Sequence, residues 1–404
     1  MNRRVVVTGI GPVTSIGIGK REFFDHLLSL KIPLQEIPAE HEKKYRFRSR
    51  FFVPFPDFHL SQFVETRFES VMEKTSHLSV AGAKLALQDA SLPEVEQAVV
   101  IMGVGISSLQ TAFKSHIAHS IDKTTERFNR MVIPMMMTNA AAAWVSILFG
   151  IKGPAYTLNA SCASGTYAIG ETYGKIARGE CDTALAGGVE CLEDESGSIM
   201  RGFDMMNVLT TAPDGFPRPF TKNRSGFLFS EGGGCVLVLE ELEKARLRGA
   251  HIYAEIAGFE CNSDAHNILQ MEASGSNIVS LLEKLIGNQH IDYLNTHGTG
   301  THNNDETEAR VIQKMFGDME KQPLINSTKG LLGHSIGASG AIEAAVVAMS
   351  LSESRVHGNI INEPMENLNL TTKSVSAPIR NAVSLSFGFG GHNAGLFFKR
   401  FEES

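Results

Sequence analysis

Twice in this chain a glycine turn runs straight into an apolar strand. The first is Gly233-Gly234-Cys235-Val236-Leu237-Val238-Leu239-Glu240. The second is Gly391-His392-Asn393-Ala394-Gly395-Leu396-Phe397-Phe398. Each closes a stretch in which strand-like and helix-like runs alternate without a long linker. That alternation predicts an α/β fold. The echo is short, and alone it is a weak sign of an internal repeat. A second echo agrees with it: the turns at Cys162 and His334 both enter helices rich in Ala and Gly. At 404 residues the chain can support two core-bearing units.

Cys162 sits in Asn159-Ala160-Ser161-Cys162-Ala163-Ser164-Gly165. An extended stretch, Gly153 to Leu158, precedes it and a helical pattern, Gly165 to Arg178, follows. A helix start offers free N–H groups and about half a positive charge, which favour thiolate over thiol. A buried structural cysteine is the simpler explanation of any lone Cys. Two distant histidines weigh against it. His297 lies in Asn295-Thr296-His297-Gly298-Thr299-Gly300-Thr301, after a strand-like Ile291 to Leu294. His334 lies in Lys329-Gly330-Leu331-Leu332-Gly333-His334-Ser335, before a helix predicted from Gly337 to Leu351. One Cys and two His in three glycine-rich turns are hard to explain by packing.

With these residues the chain resembles the elongating β-ketoacyl-acyl-carrier-protein synthases, condensing enzymes of the thiolase superfamily. The resemblance runs from Val5-Val6-Val7-Thr8-Gly9-Ile10-Gly11 to Ser386-Phe387-Gly388-Phe389-Gly390-Gly391-His392-Asn393-Ala394, with Arg218-Pro219-Phe220, Arg224-Ser225-Gly226-Phe227 and Glu231-Gly232 as a middle signature. It implies a five-layered αβαβα thiolase-like fold from two duplicated halves, 1–250 carrying the cysteine and 251–404 carrying both histidines. It implies a decarboxylative Claisen condensation: an acyl chain moves onto Cys162, malonyl-carrier protein loses carbon dioxide, and the carbanion attacks the acyl thioester.

The resemblance also distributes roles. The backbone amides of Cys162 and Phe389 would form an oxyanion hole, and His297 and His334 would stabilise the enolate. Lys329 and Glu343 would be a supporting pair around the His334 turn. An unpaired carboxylate in the apolar helix that holds Glu343 would be costly. Thr299 and Thr301 would bind the pantetheine arm, and Ile106 would gate the acyl pocket. Met131 and Val132 fall in an apolar run with Ile133, Met135, Met136 and Met137. Packing alone predicts a core position for most of that run, whereas the resemblance puts it at a dimer interface beside the acyl pocket. Arg67, Lys74, Arg127 and Arg130 would flank the entrance and dock the carrier, although scattered solvated charges explain each equally well. No enzyme-bound cofactor or metal is implied. The 4'-phosphopantetheine arrives on the acyl carrier protein.

Three positions depart from the family pattern. The loop after His297 reads Thr299-Gly300-Thr301-His302-Asn303-Asn304-Asp305 where the family has a proline, His392 replaces a Thr, and Ser225 replaces an Asp. These changes point to a specialised ketosynthase of a type II polyketide or polyene system, paired with a chain-length-factor homologue. The alternative is a housekeeping fatty-acid enzyme acting as a homodimer. A chain-length factor itself lacks the cysteine nucleophile. A thiolase needs a second cysteine in its last glycine loop, and residues 386–396 contain none. An initiating synthase has Asn in place of the second His. A scaffold role has no positive feature.

The remaining composition bounds compartment and partners. Five scattered cysteines without a C-x-x-C pair fit a reducing cytosol rather than a disulfide framework. Met1-Asn2-Arg3-Arg4 leads into a strand pattern, not a secretory leader. The apolar stretch 140–151 is shorter than the ~20 residues that span a bilayer, so a buried or interface helix is expected and no membrane. A net charge of −7 disfavours nucleic acid and leaves an acidic carrier dependent on a local basic patch. The segment Lys43 to Asp57, rich in Arg and Phe, is expected to be an irregular insertion.

Overall fold

The computed structural model describes residues 3–92, 94–106, 109–117, 120 and 129–403. Its strands are β1 (Val5–Thr14), β2 (Gly17–Ile18), β3 (Gln35–Glu36), β4 (Phe51–Phe52), β5 (Val99–Gly103), β6 (Ala155–Leu158), β7 (Thr183–Cys191), β8 (Gly232–Glu241), β9 (Ala254–Ser263), β10 (Tyr293–Asn295), β11 (Leu324–Asn326), β12 (Arg355–Val356), β13 (Val375–Ser376), β14 (Asn381–Gly388) and β15 (His392–Lys399). The main ladder runs β11-β10-β14-β15-β9-β1-β8-β7-β5-β6. Read from either outer edge, it repeats one order. Numbered within each half, the strands lie third, second, fourth, fifth, first. The two halves join where β1 pairs antiparallel with β9, Val5 opposite Ile256.

Helices make the remaining layers. Lys74–Ala90 covers β1, β7 and β8 on the outside, and Ser276–Ile286 covers β9 and β15. Ser164–Ala177 and Ser339–Glu353 pack against each other and against strands of both halves. The arrangement is αβαβα, as the resemblance implies. It also explains the sequence patterns. Every residue of β1 and β8 is buried because both sheet faces are covered. Residues 339–351 are buried all round, so that helix has no polar stripe. By length and composition Ile336–Glu353 could cross a membrane, yet 89% of it is buried inside the protein. The central helices approach closely because a Cβ on Gly165 would lie 2.6 Å from the Ala341 nitrogen.

Several expectations need adjusting. A 3-10 turn, Ile336–Ala338, precedes the helix after His334, so that helix starts at Ser339, not Gly337. The segment from Lys43 is less irregular than expected: it begins inside a helix, Ala39–Tyr45, and contains β4, which pairs with β3. The methionine run is not core. Only Val132 of the helix Val132–Met136 is buried, and Ile133, Met136 and Met137 are exposed. Ala140–Phe149 buries its alanine face and leaves Ile147 63% exposed. Among the described residues no strand or helix covers that side, so thioethers that pattern alone assigns inward face out.

Candidate active site

The turn at Cys162 is built by its own side chains. Ser161 N–H donates to Asn159 Oδ1 (2.9 Å), Ala160 N–H to Ser164 Oγ (2.9 Å), and Ser164 Oγ to the Ser161 carbonyl (2.6 Å). These bonds hold Ser161 at φ 54°, a left-handed conformation that costs energy in a residue with a Cβ. The cysteine is thereby thrust toward the loop after β14. A Cβ on Gly388 would lie 2.7 Å from the Ala160 carbonyl oxygen, so only glycine lets the end of β14 cross so near.

Burial pushes the Cys162 thiol up to about 11, against the Ser161 hydroxyl, the Lys329 charge and the Phe389 N–H, which pull it down. The expected thiolate bias therefore loses. A rise of this size costs about 2–3 kcal/mol of thiolate, and a helix start contributes about 0.3–1 kcal/mol. Cys162 also stands two residues before Ser164, the first helical residue.

His297 follows β10, and its backbone is fixed from below. Glu308 accepts the His297 N–H (2.8 Å) and the Gly298 N–H (2.9 Å), and Ser327 Oγ donates to the Gly298 carbonyl (2.6 Å). The His297 ring meets His334 edge-on, with centroids 5.5 Å apart, and lies 5.4 Å from Phe387. His297 Nδ1 is buried and has no hydrogen-bond partner among the described residues. His334 Nδ1 pairs with Ser339 Oγ (3.0 Å), and the His334 backbone N–H donates to the Leu228 carbonyl (2.8 Å). Burial, then the Lys329 charge, holds both imidazoles well below the ordinary histidine value, so both are neutral. Lys329 forms a buried ion pair with Glu343. Burial raises Glu343 to about 7 against that cation.

Two cavities meet at the cysteine. One, of about 380 Å³, is bordered by Cys162, His297, His334, Thr299, Thr301 and Phe389. The other, of about 560 Å³, opens from Cys162 past Ile106, Leu109, Phe113, Phe203 and Met206. Thr299 and Thr301 hydroxyls lie 2.9 Å apart. Ser225 and His302 also border the first cavity, whereas the His392 ring packs on Tyr167 at 6.1 Å.

Other expected residues do not converge. Met131 and Val132 border neither cavity within one chain. Lys74 is paired with Glu193, and Arg67 with Glu65 at 3.1 Å. Arg130 is exposed, and Arg127 lies outside the described residues.

Sequence reasoning missed two buried carboxylates. Glu308 anchors the His297 turn. Glu190, on β7, accepts N–H groups from Gly105 (2.9 Å), Ile106 (3.1 Å) and Gly337 (3.1 Å), so it ties the Ile106 loop to the turn after His334. The available signal was an acid inside an apolar strand, Ala186-Gly187-Gly188-Val189-Glu190.

Comparison with known proteins gives one family. The family model described as "Beta-ketoacyl synthase, N-terminal domain" matches residues 2–245, and "Beta-ketoacyl synthase, C-terminal domain" matches residues 253–362. A relative from Staphylococcus aureus, "3-oxoacyl-[acyl-carrier-protein] synthase 2", is 32% identical over 99% of each chain. Among solved structures, "The ishigamide ketosynthase/chain length factor" superposes with TM-score 0.89 at 27% identity, covering 100% of both chains. A β-ketoacyl synthase from Burkholderia phymatum superposes with TM-score 0.86 at 30% identity, covering 99% of this chain and 100% of that one.

Proposed function

We propose a division of labour for the residues of this chain, which belongs to the β-ketoacyl synthase family and so forms carbon–carbon bonds by acyl transfer. Cys162 is the nucleophile. It attacks the acyl thioester of a carrier-bound phosphopantetheine, and the tetrahedral oxyanion rests between the Cys162 and Phe389 N–H groups. The departing pantetheine thiolate takes up the proton that Cys162 gives up, so no separate base is consumed. This matters because burial keeps resting Cys162 a thiol. Malonyl-carrier protein then binds, its arm held by Thr299 and Thr301. Carbon dioxide leaves, and the bonding pair passes to the thioester enolate, whose oxygen accepts hydrogen bonds from neutral His297 and His334. The enolate carbon attacks the acyl carbonyl. The Cys162 sulfur departs as thiolate and takes a proton from water, the one proton the condensation consumes, and the β-ketoacyl chain remains on the carrier.

Lys329 and Glu343 position the His334 turn, and Ile106 gates the second cavity, which holds the acyl chain. The observation that carries this reading is that Cys162, His297 and His334, from three distant turns, border one cavity. The test separates the half-reactions: intact-mass detection of acyl-Cys162, and carbon dioxide release from malonyl-carrier protein. Loss of acyl-enzyme and of condensation in Cys162→Ala, with the histidine variants still acylated at Cys162 but losing carbon dioxide release, is the expected pattern. Normal carbon dioxide release in both histidine variants overturns it.

For pathway, the departures at His302, Ser225 and His392 favour elongation of polyketide or polyene intermediates by this chain paired with a chain-length-factor homologue, in the cytoplasm. Two of the three, His302 and Ser225, border the first cavity, where they could select a carrier or a β-substituent. The fatty-acid homodimer remains the second reading, favoured by the Staphylococcus aureus relative's name. A competition between saturated acyl groups on the general carrier and β-keto or polyenoyl groups on a dedicated carrier decides. Efficient elongation of saturated chains by the protein alone returns the assignment to fatty-acid synthesis. The division into halves 1–250 and 251–404 is supported by the repeated strand order.

A further inference from the structure

We propose that Glu190 is a positioning residue that couples filling of the acyl cavity to the His334 turn, with Ile336 as the side chain that registers the filling; this rests on the condensing reaction proposed above. Glu190 is fully buried near the end of β7. Its carboxylate accepts N–H groups from two segments far apart in sequence. Gly105 (2.9 Å) and Ile106 (3.1 Å) belong to the loop after β5, and Gly337 (3.1 Å) to the turn after His334. The two segments touch around it. A Cβ on Gly105 would lie 2.8 Å from Ile336 Cγ2, and one on Gly337 would strike the Gly105 nitrogen. The nucleophile turn is tied to the same place. Asn159 Nδ2 donates to the Gly105 carbonyl (2.5 Å), and Asn159 Oδ1 accepts the Ser161 N–H (2.9 Å).

Ile336 is held in a conformation that its side chain disfavours. Its φ is 43°, in the left-handed region, where a β-branched residue crowds its own backbone. Such strain persists only where the surroundings over-determine it. Here they do. Ile336 is buried in the apolar cluster of Cys162, Phe203 and Phe227, with Ile106 and Phe389 packed against it. Glu190 grips the next N–H. Ser339 Oγ accepts the Ser335 N–H (3.1 Å) and pairs with His334 Nδ1 (3.0 Å). One short turn thus carries the His334 ring at one end and the Glu190 contact at the other.

Ile336 borders both cavities, and Ile106 borders the acyl cavity. A chain that fills the acyl cavity packs against both side chains. It thereby clamps the left-handed turn and, through it, the ring that donates to the enolate. A short acyl group leaves that space empty, and the turn can relax toward an ordinary conformation. Glu190 makes the clamp two-sided, because the Ile106 loop and the His334 turn share its carboxylate. A carboxamide in its place would set N–H donors against backbone donors and part the two segments. The coupling favours release of carbon dioxide when an acyl chain is present to receive the carbanion.

The experiment loads Cys162 with acetyl or with octanoyl, checks loading by intact mass, and measures carbon dioxide release from malonyl-carrier protein in a single turnover. The wild-type octanoyl enzyme is expected to be about fivefold faster or more than the acetyl enzyme. In Glu190→Gln the two rates are expected to agree within about twofold, whatever their absolute size. A residue that only holds the fold together slows both forms alike and leaves their ratio unchanged. Ile336→Gly is the second variant, because glycine adopts the left-handed turn without strain yet has no side chain to meet the acyl chain. It too is expected to lose the ratio, and it decides alone should Glu190→Gln not fold. Equal rates for the two wild-type forms, or a ratio retained in either folded variant, overturns the proposal. If wild-type Cys162 takes up neither acyl group, the proposed reaction falls, and hydrogen exchange decides the coupling. Cys162 is then alkylated with iodoacetamide or with N-octyliodoacetamide. Slower exchange of the Gly337 N–H under the octyl label in wild type, but not in Ile336→Gly, supports the coupling, and any other pattern overturns it.

Discussion

At the scale of single residues, this site works by desolvation more than by helix charge. Burial raises Cys162 to about 11, so the free enzyme holds little thiolate at neutral pH. Alkylation of Cys162 by iodoacetamide is therefore expected to be slow at pH 7 and to rise about tenfold per pH unit up to at least pH 9. A rate that levels off below pH 8 contradicts this. Cys162→Ala is expected to lower condensation at least about 10³-fold. The same burial keeps His297 and His334 neutral, and each neutral imidazole retains one ring N–H to donate to an enolate. Replacing either with Ala is expected to slow carbon dioxide release about 10²–10³-fold while acyl-Cys162 still forms by intact mass. These three residues were legible because each stands in a glycine-flanked turn. Glu308 was not, because an acid on an amphipathic helix looks solvated. It became part of the site only when the fold turned that helix face under His297.

At the scale of elements, the catalytic turns are held by contacts between segments far apart in sequence. The end of β14 crosses the Cys162 turn through Gly388, and the His297 turn rests on the helix His302–Phe316 through Glu308. Gly388→Ala must displace the Ala160 carbonyl or the strand end itself. The expected cost is about 1–3 kcal/mol in urea unfolding, with acyl transfer reduced about 10²-fold because the Phe389 N–H moves off the oxyanion. Stability loss with unchanged acylation would separate Phe389 from that role. Element boundaries were legible to within a few residues where a small-residue turn marks them, as at Ser164 and Ser339. They were not legible at Lys43 to Asp57. There the alternation of Arg with Phe or Ser is a real two-residue period, but the segment forms only the two-residue strand β4, too short for periodicity to identify.

At the scale of the whole molecule, the two glycine-turn echoes were only a weak sign of a repeat, and the duplicated halves were implied by the family resemblance. The exposed apolar side could not be anticipated from pattern, which does not distinguish a core methionine from one that faces out. Ile133, Met137 and Ile147 are exposed. β6, at one end of the main ladder, has no neighbour on its outer side among the described residues and bears an exposed Tyr156. An unpaired edge beside apolar side chains is a liability in a lone protomer. This side is therefore expected to be covered by a second protomer, either another copy or a chain-length-factor homologue. That would also bring Met131 and Val132 near a cavity that neither borders within one chain. Light scattering is expected to report a dimer for wild type, alone or with a co-expressed homologue. Ile133→Asp/Ile147→Asp is expected to give a monomer with an unchanged unfolding midpoint, because both side chains already face out. A dimer that survives both substitutions places the interface elsewhere. A chain that is monomeric alone but dimeric with the homologue selects the heterodimer, and with it the specialised pathway over the housekeeping one.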